Sequence, residues 1–300
     1  MKKYIFTTVL FLMFQPFYAR AEINIFACET EWAALAEELG GDKVSVFSAT
    51  TALQDPHTIA ARPSLISKIR NADMLVCSGG GLEAGWLPIL LQKAGKTSIQ
   101  ANGDASIIAV DYVRRLEVPK QVDRSMGDVH PDGNPHVHLN PNNLLVVSDI
   151  ISEKLIAQDT ENKAFYESRL NSFKEKMTAK IKAWEKQAAP LKNTAVIANH
   201  KNMSYLFDWL GMNAVENLEP KPGVPPTSKH LSELVNTVKN KDVKLIVYAP
   251  YESKKPANWL SNETDVPAAQ LPYTVGGNNT SDLFQLFDET IKIMLDKKEK

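Results

Sequence analysis

The chain has 300 residues, 44% of them hydrophobic, with 34 Lys and Arg against 35 Asp and Glu for a formal net charge of −1. No basic stripe is available to neutralise phosphates, so nucleic-acid binding finds no support. At this length the chain forms one large domain or two smaller lobes.

The first 21 residues read as a secretory leader. Lys2 and Lys3 form a positive start, 5–14 is an apolar run, and Ala19-Arg20-Ala21 supplies small residues for cleavage. The run is shorter than the ~20 apolar residues that span a bilayer. Losing Lys2, Lys3 and Arg20 takes the charge from −1 to −4 and implies a periplasmic location. Ile25-Phe26-Ala27-Cys28 is a loose lipobox, set aside because Arg20 and Glu22 separate it from the apolar run.

Beyond the leader, strand-like and helix-like pieces alternate. A strand is predicted over 23–28, a helix over 32–39 closed by Gly40-Gly41, and a strand over 44–47. Pro63–Asn71 is a helix with proline in its first turn, Met74–Cys77 a strand, 86–93 a helix and 106–110 a strand. Such alternation predicts parallel βαβ units. Residues 120–140, rich in proline, glycine and histidine, break the pattern as a loop.

From 142 the chain turns helical. Phe165, Tyr166, Leu170, Phe173, Met177, Ile181 and Trp184 recur at steps of one, three or four, one apolar stripe of an amphipathic helix. After Pro190 the predicted elements are strand 194–198, helix 203–210, a proline-rich loop 218–227, helix 231–240, strand 245–248, helix 256–262, strand 268–271 and helix 282–295. The fold class is α/β: two Rossmann-like lobes, 22–141 and 187–300, each with a mostly parallel sheet, joined by a long helical segment 142–186. Ligands in such folds sit at the carboxyl ends of strands and between domains.

Cys28 and Cys77 each end an apolar run, and a disulfide or a pair of buried thiols fits them equally. Six histidines occur, at 57, 130, 136, 138, 200 and 230. His57 follows Asp55-Pro56, His136 follows Asn134-Pro135, and His200 follows a strand directly. Each ends a rigid element, so the three can converge between the lobes. Neutral imidazole is the usual zinc ligand, and nitrogen donors suit zinc, copper or nickel above manganese or magnesium. Asp55 is placed to accept the second ring N–H of a ligating histidine.

At these residues the sequence resembles, over essentially the whole mature chain, the solute-binding proteins of bacterial metal-uptake ABC transporters, the cluster that carries zinc and manganese. The family's Asp-Pro-His turn and Pro-Ser helix start appear as Asp55-Pro56-His57 and Pro63-Ser64. Its second Pro-His motif appears as Asn134-Pro135-His136-Val137-His138-Leu139-Asn140-Pro141, and its third histidine before an aromatic helix as His200, Tyr205, Trp209 and Gly211. The resemblance implies His57, His136 and His200 as ligands of a captured ion, Zn2+ ahead of Mn2+. It also implies a membrane permease as partner. No stretch reads as a self-complementary interface, so a monomer is expected. A long connecting helix resists wide hinge motion, so release is expected through small lobe shifts and loop rearrangement, with docking loosening mainly His200.

Three departures stand out. His138 occupies a position where relatives often have tryptophan. The loop Pro272-Tyr273-Thr274-Val275-Gly276-Gly277 lacks the aspartate that relatives use as fourth ligand, leaving water, Glu252 or His130 for that place. The long His- and Asp-rich loop of several zinc relatives is also missing. Two rival readings accompany this one. A hydrolase would use three histidines and a zinc-bound water of pKa near 7. A metal-independent receptor or adhesin would use the proline-rich stretch 219–226 as its recognition surface.

Overall fold

A computed structural model describes residues 22–123 and 126–298; the expected leader, 1–21, lies outside them. The first lobe is built from β1 (Ile23–Ala27), α1 (Thr30–Gly40), β2 (Val44–Ser48), α2 (Pro63–Asn71), β3 (Met74–Cys77), α3 (Leu87–Ala94) and β4 (Ser106–Ile108). Two long helices follow, α4 (Pro141–Gln158) and α5 (Lys163–Gln187). The second lobe contains β5 (Ala195–Ala198), α6 (Ser204–Leu210), β6 (Asn213–Asn217), α7 (Ser228–Lys241), β7 (Val243–Tyr248), α8 (Lys254–Thr264), β8 (Ala268–Gln270) and α9 (Leu283–Lys298).

Each lobe holds a four-stranded sheet, ordered β2-β1-β3-β4 and β6-β5-β7-β8, with every pair parallel. Parallel strands need helical crossovers, which cover both faces and make the strands apolar throughout. The strands show this with a period of two. Ile25, Ala27, Met74, Val76, Val196, Ala198, Leu245 and Val247 face one core shared by both lobes. Phe26, Leu75 and Cys77 face α2 and α3, and Ile197, Val243 and Ile246 face α7 and α8.

The helix predicted from 142 onward is interrupted. Asp159 leaves helical geometry at φ −139° and ψ 73°, and its carboxylate accepts hydrogen bonds from Asn162 and from the Tyr166 hydroxyl at 3.0 Å. A capping aspartate in mid-run closes one helix and opens the next. The apolar stripe belongs to α5, where Tyr166, Phe173, Met177, Ile181 and Trp184 are buried. α5 is the helix that joins the lobes. Arg169 donates to the Glu38 carbonyl of the first lobe at 2.7 Å, and Lys180 and Trp184 both donate to Asp288 of α9. Strand β6 escaped sequence reasoning because Asn213-Ala214-Val215-Glu216-Asn217 is an edge strand with largely exposed side chains and no apolar run.

At the carboxyl ends of β1 and β3, Cys28 and Cys77 form a disulfide with Cα atoms 4.8 Å apart. Its formation decides between the two options open in the sequence, and it commits the sulfur that a lipid anchor at Cys28 would need. Directly beside it lie two buried acids. Glu29 accepts from the Ser78 hydroxyl at 3.1 Å, and Glu83 accepts from the Gly79 N–H at 3.1 Å. Burial pushes the Glu83 carboxyl up to about 7, and burial together with Glu83 and Glu31 raises Glu29 well above the carboxylate range.

A carboxyl whose folded pKa is raised stabilises the fold fully below its ordinary value of 4.5, and that contribution is lost as pH rises through about 7. The displacement corresponds to roughly 3 kcal/mol. Denaturant melts are therefore expected to show lower stability at pH 8 than at pH 5. Glu83→Gln, neutral throughout, should flatten that decline. An identical pH slope in the variant would exclude Glu83 as its source.

Candidate metal centre

The strands of both sheets end toward one place, and the loops leaving them carry its residues. His57 is reached from β2 through a 3-10 turn, Pro56–Thr58, capped by Asp55. Asp55 Oδ1 accepts the His57 backbone N–H at 3.0 Å and pairs with Nδ1 of the ring at 2.7 Å. The buried Trp86 indole donates to the Pro56 carbonyl at 2.9 Å and holds the turn against the first lobe. The ring of His57 keeps the Asp55 carboxyl below its usual value although burial alone would raise it.

His136 lies at the end of the long loop after β4. Its backbone N–H donates to the Asn134 side chain at 3.0 Å, and Asn134 in turn donates to the Lys201 carbonyl of the other lobe at 2.7 Å. Nδ1 of His136 meets the Tyr273 hydroxyl at 2.7 Å, whereas its buried Nε2 has no hydrogen-bond partner. Burial, followed by repulsion from His57 and His200, holds this ring neutral, with its pKa well below the ordinary 6.5.

His200 follows β5 by two residues, and its Nδ1 pairs with Glu219 at 2.8 Å. Burial pulls its pKa down, but Glu219, Glu252 and Asp55 outweigh that and leave it raised. The sequence offered no signal for Glu219 as a partner, because it lies 19 residues away, two residues past the end of the unrecognised β6.

The structure brings His57, His136 and His200 together and adds His130. One ring nitrogen from each of the four lies within 4.8 Å of the others, and Nε2 of His57 and Nε2 of His130 are 3.2 Å apart. Burial, with His57 and His200 nearby, depresses the His130 pKa to about 4. A tetrahedron with arms of 2.0–2.1 Å has edges of about 3.3 Å, so a small contraction of these loops suits a single ion.

His138, two residues from His136, is outside the cluster. It is fully buried, with Nδ1 3.0 Å from Glu31 and Nε2 2.9 Å from the Tyr273 carbonyl, and so pins the loop that carries Tyr273. Thr30 reinforces that contact by donating to the Val275 carbonyl at 2.9 Å. Glu252, another candidate for the fourth position, has its carboxylate engaged by the Ala249 N–H and the Asn202 amide. Burial raises its pKa to about 7. His230 is also elsewhere, with Nε2 3.0 Å from the Asn217 carbonyl.

Two parallel α/β lobes joined by a long helix, with histidines from both lobes converging in the crevice, define a two-lobed metal solute-binding protein. Comparison with known proteins gives the same class. The sequence model of the family described as zinc-uptake complex component A periplasmic (ZnuA) matches residues 25–296. The chain belongs to this family.

The manganese ABC transporter substrate-binding lipoprotein PsaA of Streptococcus pneumoniae is 25% identical over 252 residues, covering 82% of this chain and 78% of the relative. The zinc-binding lipoprotein AdcA of Streptococcus pneumoniae serotype 4 is 25% identical over 251 residues and 83% of this chain, which spans 49% of the length of AdcA. Among solved structures, a crystal structure of ZnuA superposes with a TM-score of 0.77 at 20% identity, over 92% of this chain and 99% of that one. A Mn-bound periplasmic metal-binding protein from Candidatus Liberibacter asiaticus gives 0.75 at 18% identity, over 92% and 100%. These structural matches support the fold.

Proposed function

We propose that the chain is an extracytoplasmic, monomeric zinc receptor that holds one ion with His57, His136 and His200 and delivers it to the permease of an ABC transporter. The observation that carries this reading is the orientation of the three rings. Each turns Nδ1 to an oxygen partner, Asp55, Tyr273 or Glu219, and leaves its other nitrogen for the crevice. Outer hydrogen bonds of this kind fix the tautomer and raise ligand basicity. The lobes 22–141 and 187–300 then each contribute to the grip, with the helical segment between them holding their spacing.

Nitrogen donors favour zinc over manganese, which prefers oxygen. The cavity beside His57 and His200 measures about 230 Å3 and is lined by Asp55, Asp128, Glu219 and Glu252. Its acids attract cations. That argues against the organic-receptor reading. Asp55 and Glu219 are bound to imidazole, and Glu252 accepts from the Ala249 N–H and the Asn202 amide, so these acids are engaged rather than free as general bases, which argues against a hydrolase.

Calorimetric titration of chelator-stripped protein should give one tight zinc site and weaker manganese binding. Absence of zinc binding would overturn the reading. Tyr273→Phe deletes the hydroxyl that orients His136 and should lower zinc affinity by about 10–100-fold, the usual effect of losing such a partner. Unaltered affinity in that variant would show that the hydroxyl does not orient the ligand.

A further inference from the structure

We propose that His130 is the fourth ligand, so that the ion is enclosed by four imidazoles and no carboxylate. This rests on the zinc-receptor reading and extends it by assigning the residue that sets metal preference. The distance of 3.2 Å between Nε2 of His130 and Nε2 of His57 is close to the edge of about 3.3 Å expected for two nitrogens on one tetrahedral zinc. Ring contacts agree, with the His130 centroid 5.2 Å from His57 and 6.1 Å from His136.

The backbone around His130 is built to bring it in. A Cβ at Gly80 would stand 3.1 Å from the Gly133 carbonyl oxygen, so the turn after β3 packs closely under the histidine loop. On its other side the loop is tied to the second lobe. The Asp128 N–H donates to the Pro222 carbonyl at 2.9 Å. Gly127 has φ +80°, and a Cβ there would lie 2.4 Å from that same carbonyl oxygen. His130 therefore sits on a strap clamped between the lobes. Three of the nearby carboxylates are engaged, Asp55 by His57, Glu219 by His200, and Glu252 by Ala249 and Asn202, while Asp128 lies on the same strap as His130.

An all-imidazole shell leaves the double charge of the ion uncompensated by direct ligands and offers only borderline nitrogen donors. Such a shell discriminates against manganese more strongly than one completed by a carboxylate or water.

Cobalt(II), whose visible bands report coordination, is the probe, alongside zinc and manganese titrations. The parent and the variants His130→Ala, His130→Asp, His57→Ala and His230→Ala are compared. His130→Ala is expected to retain cobalt with altered bands and to bind zinc at least about tenfold more weakly. His130→Asp should narrow the gap between zinc and manganese, and His230→Ala should match the parent. If His57→Ala loses the metal while His130→Ala keeps the parent's spectrum and affinity, the fourth-ligand assignment falls and the zinc-receptor reading stands. If the parent itself binds no metal, both fall.

Discussion

His136→Ala is expected to lower zinc affinity by more than ~100-fold, because removing a ligand costs more than the roughly tenfold to hundredfold lost with an outer partner. His136 is the site's most constrained group. Its ring is 1% exposed, Nδ1 is held by Tyr273, and Nε2 is buried without a hydrogen-bond partner. With its pKa pushed far down, the ring has no proton for zinc to displace at neutral pH. Competition with a chromophoric chelator measures the loss directly, with circular dichroism confirming the fold. A decrease below tenfold would mean that the metal is held elsewhere.

The second large effect is on stability. The disulfide Cys28–Cys77 closes a loop with a sequence separation of 49. By loop-closure entropy that restraint contributes about 4 kcal/mol. For a chain of this size the loss is on the order of 10 °C in melting midpoint. The double variant Cys28→Ala/Cys77→Ala should melt lower by that amount, whereas β1 and β3 should still pair. They are joined in register, Ile25 with Met74 and Ala27 with Val76, by backbone hydrogen bonds that do not depend on sulfur. A midpoint unchanged within 1 °C would show that the bond adds no stability.

Much of the architecture was legible from local pattern. Pro63–Asn71 and Met74–Cys77 occur as read from the sequence, because a proline at a helix start and a short apolar run are local signals. The same signals failed where tertiary context governs. Strand β6 forms from polar residues because its neighbour β5 supplies the hydrogen bonds and solvent covers much of its surface. The break at Asp159 was a local signal that the helical periodicity on either side concealed.

The chemistry divides in the same way. Proline-set turns and a strand end marked His57, His136 and His200, since those features determine where a side chain is presented. Asp55, two residues from His57, was legible as the partner of that ring, but the other partners are remote: Tyr273 is 137 residues from His136 and Glu219 is 19 from His200. His130 was one of three options for the fourth place, and the strap bearing it lies against Pro222 and the turn after β3. The sequence by itself marked most of the elements and the candidate imidazole donors, because these follow from side-chain chemistry and short-range periodicity. Only the tertiary structure decided which nitrogens converge. That depends on two sheets being held at one separation by α5, so that loops distant along the chain end at the same point.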